Sequence, residues 1–302
     1  MEFGKLNDLS EVDFSLPPEP PRNAALLDRL PPMEKAPTVY VGCTGWSMKE
    51  WVGKVYPPGT KSADYLRQYA RQFNTIELNT THYRIPDLRT IRKWYEESAD
   101  DFRFCPKIPQ SISHSRDLGG GQLTEFCLSI EGLQEKLGCC FLQLPPYFGP
   151  DRLPVLEHFL GRFPRELPLA VELRHPGWFA DPDGEEVWAA LERHGAAAVI
   201  TDVAGRRDVA HMQLTAPRTL VRFVGNGLHP TDYSRIDEWV RRLAGWTGRG
   251  LPEVFFFTHE PDNLLAPDLS LYLVAQVRKN TTAQTRGPEF HRDPGADQLK
   301  LF

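Results

Sequence analysis

Eight short apolar runs in this chain end on polar residues of kinds that do chemistry. In order these are Trp46, Glu77 with Asn79, Lys107, Gln143, Glu172 with Arg174 and His175, Asp202, Arg222, and His259 with Glu260. Glu77 and Glu172 are a carboxylate pair: if their surroundings push their pKa values apart, one serves as general acid and the other as general base. Asp202 adds another carboxylate and Lys107 an amine, which completes the candidate catalytic set. Paired carboxylates are also the equipment of glycoside hydrolysis, where their separation sets the stereochemical outcome. Glu77, Glu172, Asp202, His175 and His259 together offer oxygen and imidazole donors of the kind a divalent metal accepts, although no compact His-Glu-x-x-His spacing occurs. Lys107, Arg174 and Arg222, with Arg84, bring positive charge to the same ends, as an anionic small molecule or a nucleic-acid strand requires. Trp46, Tyr83 and Trp178 supply flat rings for stacking, and Asn79, Gln143, His175 and His259 supply polar contacts; with Arg174 and Arg222 these are the candidate substrate-binding residues.

Residues at the ends of successive runs meet only if the runs lie side by side and point the same way. The runs are TVYVGCTG, TIELNTT, FRFCPKI, CCFLQL, LAVELR, AAVITD, TLVRFV and EVFFFTH. Several are almost wholly apolar, as parallel strands covered on both faces are, and the segments between them have helical spacing. Tyr65, Leu66, Tyr69, Ala70 and Phe73 fall on one helix face behind Ser62 as N-cap. Val187, Ala190 and Leu191 share a face over 185–194, and Gly195 stops that helix. Eight β/α units in about 240 residues predict an α/β fold of the closed (β/α)8 TIM-like barrel type. A doubly wound open sheet is the structural rival, but no G-x-G-x-x-G follows the first run. Alternation along a strand turns Glu77 with Asn79, and Glu172 with Arg174, to the interior, where charge must be paired or hold a ligand. Gly225 and Gly227 read either as a phosphate-binding loop after the seventh strand or as a plain turn.

Five ordered stretches carry a more specific signal: GCTGWSMKEWVGKVYP (42–57), FNTIELNTTHYRIP (73–86), FRFCPKIPQSISHSR (102–116), LGCCFLQLPPYF (137–148) and AVELRHPGWF (170–179). Together they resemble the YecE-like family of uncharacterised TIM-barrel proteins. The resemblance implies a barrel with a polar mouth and brings no established reaction. By position it implies roles for Trp46, Glu77, Asn79, Tyr83, Lys107, Gln143, Glu172, Arg174, His175 and Trp178, and less closely for Asp202 and Arg222. The chain departs from the family at its seventh strand, where Leu220, Arg222, Val224 and Gly225 replace a Tyr-x-Arg-x-His-Gly pattern. Thr258 and His259 stand in place of paired asparagines, and His82 in place of a phenylalanine.

Length and charge narrow the function further. The chain has 302 residues and a net charge of -5, so nucleic acid would bind at a focal site and not by general coating. Hydrophobic residues at 41% and charged residues at 25% exclude wholesale disorder. No apolar run reaches the roughly 18 residues of a membrane span, and the acidic start does not read as a signal peptide, so the protein is expected in the cytoplasm with no membrane contact. Five cysteines without a C-x-x-C pair read as reduced, buried thiols. Residues 1–37 carry Pro17, Pro18, Pro20, Pro21, Pro31, Pro32 and Pro37, a density that excludes continuous helix and marks an extension. The barrel domain is expected over 38–280, and 281–302 as a flexible tail. That tail ends in QLKLF, similar to the short peptides by which bacterial replication and repair proteins bind the sliding clamp, with Gln298, Leu299, Leu301 and Phe302 as contact residues. These features predict a hydrolase or lyase acting on a phosphate-bearing or nucleic-acid substrate with carboxylate acid/base or metal assistance. The alternatives are a carbohydrate-active hydrolase and a non-catalytic module for an anionic ligand.

Overall fold

Each apolar run becomes a strand in the computed structural model, which describes residues 3–119, 121–180 and 183–291. The strands are β1 Thr38–Gly42, β2 Thr75–Leu78, β3 Arg103–Pro106, β4 Cys140–Gln143, β5 Leu169–Glu172, β6 Ala197–Asp202, β7 Arg218–Val224 and β8 Glu253–His259. Every ladder between them is parallel. The helices are α1 Pro21–Asp28, α2 Tyr65–Gln72, α3 Leu88–Glu97, α4 Gln110–Ser113, α5 Gln122–Glu131, α6 Leu153–Arg162, α7 Asp183–Arg193, α8 Pro230–Gly248 and α9 Ala266–Asn280. Tyr65, Leu66, Tyr69 and Ala70 are the buried face of α2, as their spacing predicts. Ser62 does not cap that helix: it opens a 3-10 turn, and α2 starts at Tyr65 with no side-chain cap. Gly195, with φ +67°, ends α7 as expected because glycine tolerates the left-handed turn.

The ladders divide into a six-stranded sheet, ordered β1-β8-β7-β6-β5-β4, and a two-stranded sheet of β2 and β3. The single closed ladder expected from the run count is therefore not what the pairing gives. At the seam between β1 and β2 one backbone bond crosses, from the Glu77 N–H to the Cys43 carbonyl at 3.0 Å. Side chains supply the rest. The Tyr69 hydroxyl, on α2, accepts from the Cys43 N–H at 2.7 Å and donates to the Thr75 carbonyl at 3.0 Å, while Asn74 Oδ1 accepts from the Val41 N–H at 2.7 Å. Gly42 makes this approach possible: a Cβ there would lie 2.2 Å from the Thr75 carbonyl oxygen. At the seam between β3 and β4 the bonds run from Gly138 N–H to Phe104 O at 2.8 Å and from Ile108 N–H to Phe141 O at 2.9 Å.

Period-two alternation sorts the side chains. Phe141, Val199, Leu220, Phe255 and Phe257 share one inner cluster. Their sequence neighbours pack outward against the helices, among them Leu142, Ile200, Val221 and Phe256.

Among the described residues no α-helix joins β6 to β7; a short 3-10 turn at Arg207–Val209 is the only helical piece there. The chain's own N-terminal part fills the gap. Pro21 stands at N1 of α1, a position where proline's missing N–H costs nothing, so a short helix fits between the prolines that exclude a continuous one. Leu26 and Leu27 of α1 join Ile200, Val221, Val240 and Leu243 in one core cluster. Asn23, fully buried, donates to the Met212 carbonyl at 2.8 Å and accepts from the Leu214 N–H at 2.9 Å. Arg22 reaches Glu185 of α7 at 2.6 Å, and Arg249, which caps α8, reaches Asp28 at 2.8 Å.

The other end is also docked as far as it is described. Gln284 pairs with Pro37 and Val39 through backbone bonds of 2.8 and 2.9 Å, Arg286 bonds the Phe73 and Ala70 carbonyls, and Phe290 packs on the β2–β3 side. Residues 281–291 are thus held by the body of the protein, contrary to the free tail their polarity predicts. All five cysteines are buried and free. Among the described residues no helix is long and apolar enough to cross a membrane.

Candidate functional site

The C-terminal ends of the strands bring Glu77, Asn79, Lys107, Gln143, Glu172, Arg174, Arg222 and His259 into one hydrogen-bonded network. Its centre is Arg222, which projects inward from β7 and holds both carboxylates. Nε and Nη2 bond Glu77 at 2.9 and 3.0 Å, and Nη1 bonds the two oxygens of Glu172 at 3.1 and 2.9 Å. Arg174 Nε adds a second cation to Glu172 at 2.9 Å. Asn79 Nδ2 donates to Glu77 Oε1 at 2.9 Å, and His259 Nε2 lies 3.0 Å from Glu77 Oε2. A relay of amides completes the wall: Gln143 donates to Glu172 at 2.8 Å and accepts from Lys107 Nζ at 2.9 Å.

These contacts decide the charge states. Glu77 and Glu172 are 0% and 1% exposed. Burial alone would raise both carboxyls, but Arg222 and His259 hold Glu77 well below the ordinary carboxylate value, and Arg174 and Arg222 hold Glu172 down to about 2. Both are ionised, so the acid/base division expected for the pair does not arise. Lys107 moves the other way. Burial, and then the Arg222 charge, lower its pKa to about 8. Among the described residues no carboxylate lies within ion-pairing distance of its nitrogen.

Other expected members lie elsewhere. Asp202 stands opposite Phe223 in the β6–β7 register, one residue out of phase with the inward Thr201 and Arg222, so it faces the outer helices. There Arg207, Arg235 at 2.9 Å and the Trp239 indole at 2.7 Å satisfy it, and Arg235 and Arg207 outweigh burial to lower its pKa. Trp178 is fully buried, its indole donating to the Phe148 carbonyl at 2.7 Å, and so supports the core. Trp46 is partly buried edge-on to Trp94. His175 turns its Nδ1 to the Gly177 N–H at 3.0 Å, which caps a short turn. Tyr83 is 81% exposed at the rim.

The glycine loop after β7 is not open to phosphate. Its N–H groups serve the protein's own acceptors: Gly225 bonds the His259 carbonyl, Asn226 bonds Asp232 at 2.8 Å and Gly227 bonds Glu260 at 2.7 Å. Among the described residues no group of three or more His, Cys, Asp or Glu side chains could hold a metal, since Arg222 separates Glu77 from Glu172 and Asp202 faces outward. The clamp-like residues Gln298, Leu299, Leu301 and Phe302 fall outside the described residues.

The structure also adds members that the sequence did not point to. His82 and His114 stand with ring centroids 5.7 Å apart, and burial first, then the Lys107 charge among other causes, lowers both their pKa values. The Phe3 ring lies over the Arg174 guanidinium at 4.3 Å and over Arg206 at 5.1 Å. His114 sits inside the stretch containing Lys107, so its nearness was there to be read; nothing in the sequence ties Phe3 to Arg174.

Known proteins share this chain's fold and a large part of its sequence. The protein YecE of Escherichia coli K12, of the uncharacterised group UPF0759, is 36% identical over 262 residues, which span 80% of this chain and 93% of that protein. YunF of Bacillus subtilis strain 168, of the same group, is 28% identical over 204 residues, 62% of this chain and 70% of its own length. Among solved structures, a DUF72 family protein from Enterococcus faecalis V583 superposes with a TM-score of 0.64 at 19% identity, covering 83% of this chain and 99% of that one. One from Thermotoga maritima MSB8 gives 0.60 at 24% identity, covering 80% and 99%. The family model for the protein of unknown function DUF72 matches residues 40–292, and this chain belongs to that YecE-like family.

Proposed function

We propose that the strand ends form the active site of an enzyme acting on a small substrate that carries a phosphate or carboxylate. In this reading the eight parallel strands work as a (β/α)8 barrel around it. The observation that carries the proposal is the unequal pairing of buried charge. Arg222 takes up both carboxylates, whereas Lys107, 8% exposed, has the neutral Gln143 oxygen at 2.9 Å and the Phe141 ring at 5.9 Å as its described partners. Glu77 and Glu172 attract it only from beyond ion-pairing distance; a buried ammonium without a directly paired counter-charge is costly, and a substrate anion supplies one. Arg222 is then the frame of the site, and Glu77 the orienter of His259. Nε2 of the ring is taken by Glu77 Oε2 at 3.0 Å, which fixes how the imidazole sits at the strand ends. Neither Glu77 nor Glu172 is the acid that glycoside hydrolysis needs, since that reaction requires a carboxyl held protonated near neutral pH and both are held down; the carboxyl that burial pushes up, to about 7, is Glu260, which accepts from the Gly227 N–H.

A second reading follows from exposed rings. Tyr83 at 81% and Tyr147 at 64% exposure follow β2 and β4, a placement that suits a nucleotide or a single nucleic-acid strand stacking at the rim. The clamp-like peptide 298–302 fits that reading as a contact to a bacterial sliding clamp.

Inorganic phosphate and pyrophosphate test the anion site directly. Each is expected to raise the Tm of the full chain, by about 2.7 kcal/mol of stability at a hundredfold excess over Kd. The rise should shrink in Lys107→Met. A wild-type chain indifferent to both ions would overturn the proposal.

A further inference from the structure

We infer that Lys107 is a nucleophilic amine that condenses with the carbonyl carbon of an anionic aldehyde or 2-oxo acid, linking substrate to protein as an iminium ion. The inference rests on the anion-site reading for the substrate's charge, and on the lysine's own surroundings for its chemistry.

The backbone at Lys107 is fixed from both sides. Its N–H bonds the Leu78 carbonyl at 3.2 Å, its carbonyl accepts from the Thr81 hydroxyl at 2.7 Å, and it bridges to Phe141 of β4. The side chain points into the network, where Gln143 is the described partner of Nζ. The Gln143 amide cannot turn freely, since its nitrogen is committed to Glu172. An amide oxygen accepts from an amine as well as from an ammonium, so this partner does not demand the charged form. Burial first, then repulsion from Arg222, opposes the charged form and outweighs the attraction of Glu77 and Glu172, as a neighbouring cation does for amine nucleophiles.

The same chain holds a contrast. Lys136, 3% exposed, donates to the Tyr95 and Ser98 carbonyls at 2.7 and 2.8 Å, lies against the Tyr95 ring and has Asp100 at 3.9 Å. That lysine is saturated as an ammonium. Lys107, buried to a similar degree, has a more distant ring, Phe141 at 5.9 Å, and one amide oxygen where Lys136 has two carbonyls and a carboxylate.

The step balances without oxidant or reductant. The ammonium first gives a proton to a base, for which His259 is the candidate. The nitrogen lone pair then adds to the carbonyl carbon, the C–N bond forms, and the carbonyl π electrons move to oxygen. Two protons, one from nitrogen and the one passed through the base, leave with that oxygen as water, and the iminium retains the positive charge.

The test uses the full chain with glyoxylate and, separately, pyridoxal 5'-phosphate, each trapped with borohydride and mapped by peptide mass spectrometry. Lys107 is expected to be labelled about tenfold or more faster than the exposed Lys49 and Lys61, and inorganic phosphate should slow that labelling. Gln143→Glu gives Lys107 a carboxylate partner and should cut its labelling about tenfold as the amine fraction falls. Labelling of Lys107 no faster than Lys49 and Lys61 by both probes overturns the inference; if phosphate still raises the Tm, the anion site survives that failure. Rapid labelling of Lys107 that phosphate does not slow, in a chain whose Tm phosphate does not raise, keeps the amine chemistry and overturns the anion site.

Discussion

One guanidinium in this protein does the work of two. Arg222 makes paired bonds to Glu77 and to Glu172, so Arg222→Met leaves two buried carboxylates to face one another with one shared cation gone. Removing one partner of a buried pair costs about 3–5 kcal/mol, and a loss of that size in urea unfolding is the expected result. Arg222→Lys is expected to rescue only part of it, because a single ammonium cannot fork to two carboxylates. The same contacts set a pH dependence. The Glu172 pKa falls from 4.5 to about 2 on folding, so its stabilisation is complete above 4.5 and is lost as pH falls from there towards 2. A stability profile flat across that acid range would contradict the clamp. Alternation along the strands made Glu77 and Glu172 legible as inward residues. Which acid meets which base was not legible, because β2, β5 and β7 are not neighbours and their side chains meet only across the interior. Asp202 shows the limit of reading strand ends: it closes its run like Glu172, yet stands one residue out of phase with the inward set.

At the scale of elements, side chains stand in where strand pairing gives out. The periodicity of α2 predicts a buried Tyr69, and it is fully buried with its ring stacked on Phe73 at 4.5 Å. Its hydroxyl's role between β1 and β2 is invisible in the sequence, since it depends on how far apart those strands lie. Tyr69→Phe keeps the ring and removes the bridge, leaving the Cys43 N–H without this acceptor. Leaving a buried polar group unsatisfied costs about 1–3 kcal/mol, which chemical denaturation should register with no change in the denaturant slope. A variant as stable as wild type would mean that the hydroxyl does not bridge the seam. The loop after β7 carries a related lesson. Its glycines matched a phosphate-binding loop in composition, but Asp232 at the start of α8 and Glu260 beyond β8 occupy its N–H groups, and both come from sequence positions that composition cannot connect to it.

For the whole molecule, the two ends of the chain differ in what their removal should do. α1 lies outside residues 40–292, the stretch matched by the family model, yet it sits where the connection from β6 to β7 lacks a helix. Cutting the chain to begin at residue 38 uncovers that site and should cost about 3–6 kcal/mol, at about 1.5–3 kcal/mol for each of the buried Leu26 and Leu27. Removing Gln298 to Phe302 should leave Tm unchanged and abolish binding to a purified sliding clamp in titration calorimetry; clamp binding that survives would remove that contact from the proposal. Proline counting excludes a helix running through 1–37 but says nothing of a short one between prolines, and Pro21 stands at the start of such a helix. The division into two sheets has a consequence for how the site persists over time. Glu77 and Lys107 travel with the two-stranded sheet, and Glu172, Arg222 and His259 with the six-stranded one. Any excursion that parts the sheets takes the site apart while leaving each sheet's own ladders whole. Amide exchange at Glu77, whose N–H crosses the seam, therefore clocks the assembled lifetime of the site, and a ligand gripping both sides must slow that exchange in proportion to its occupancy.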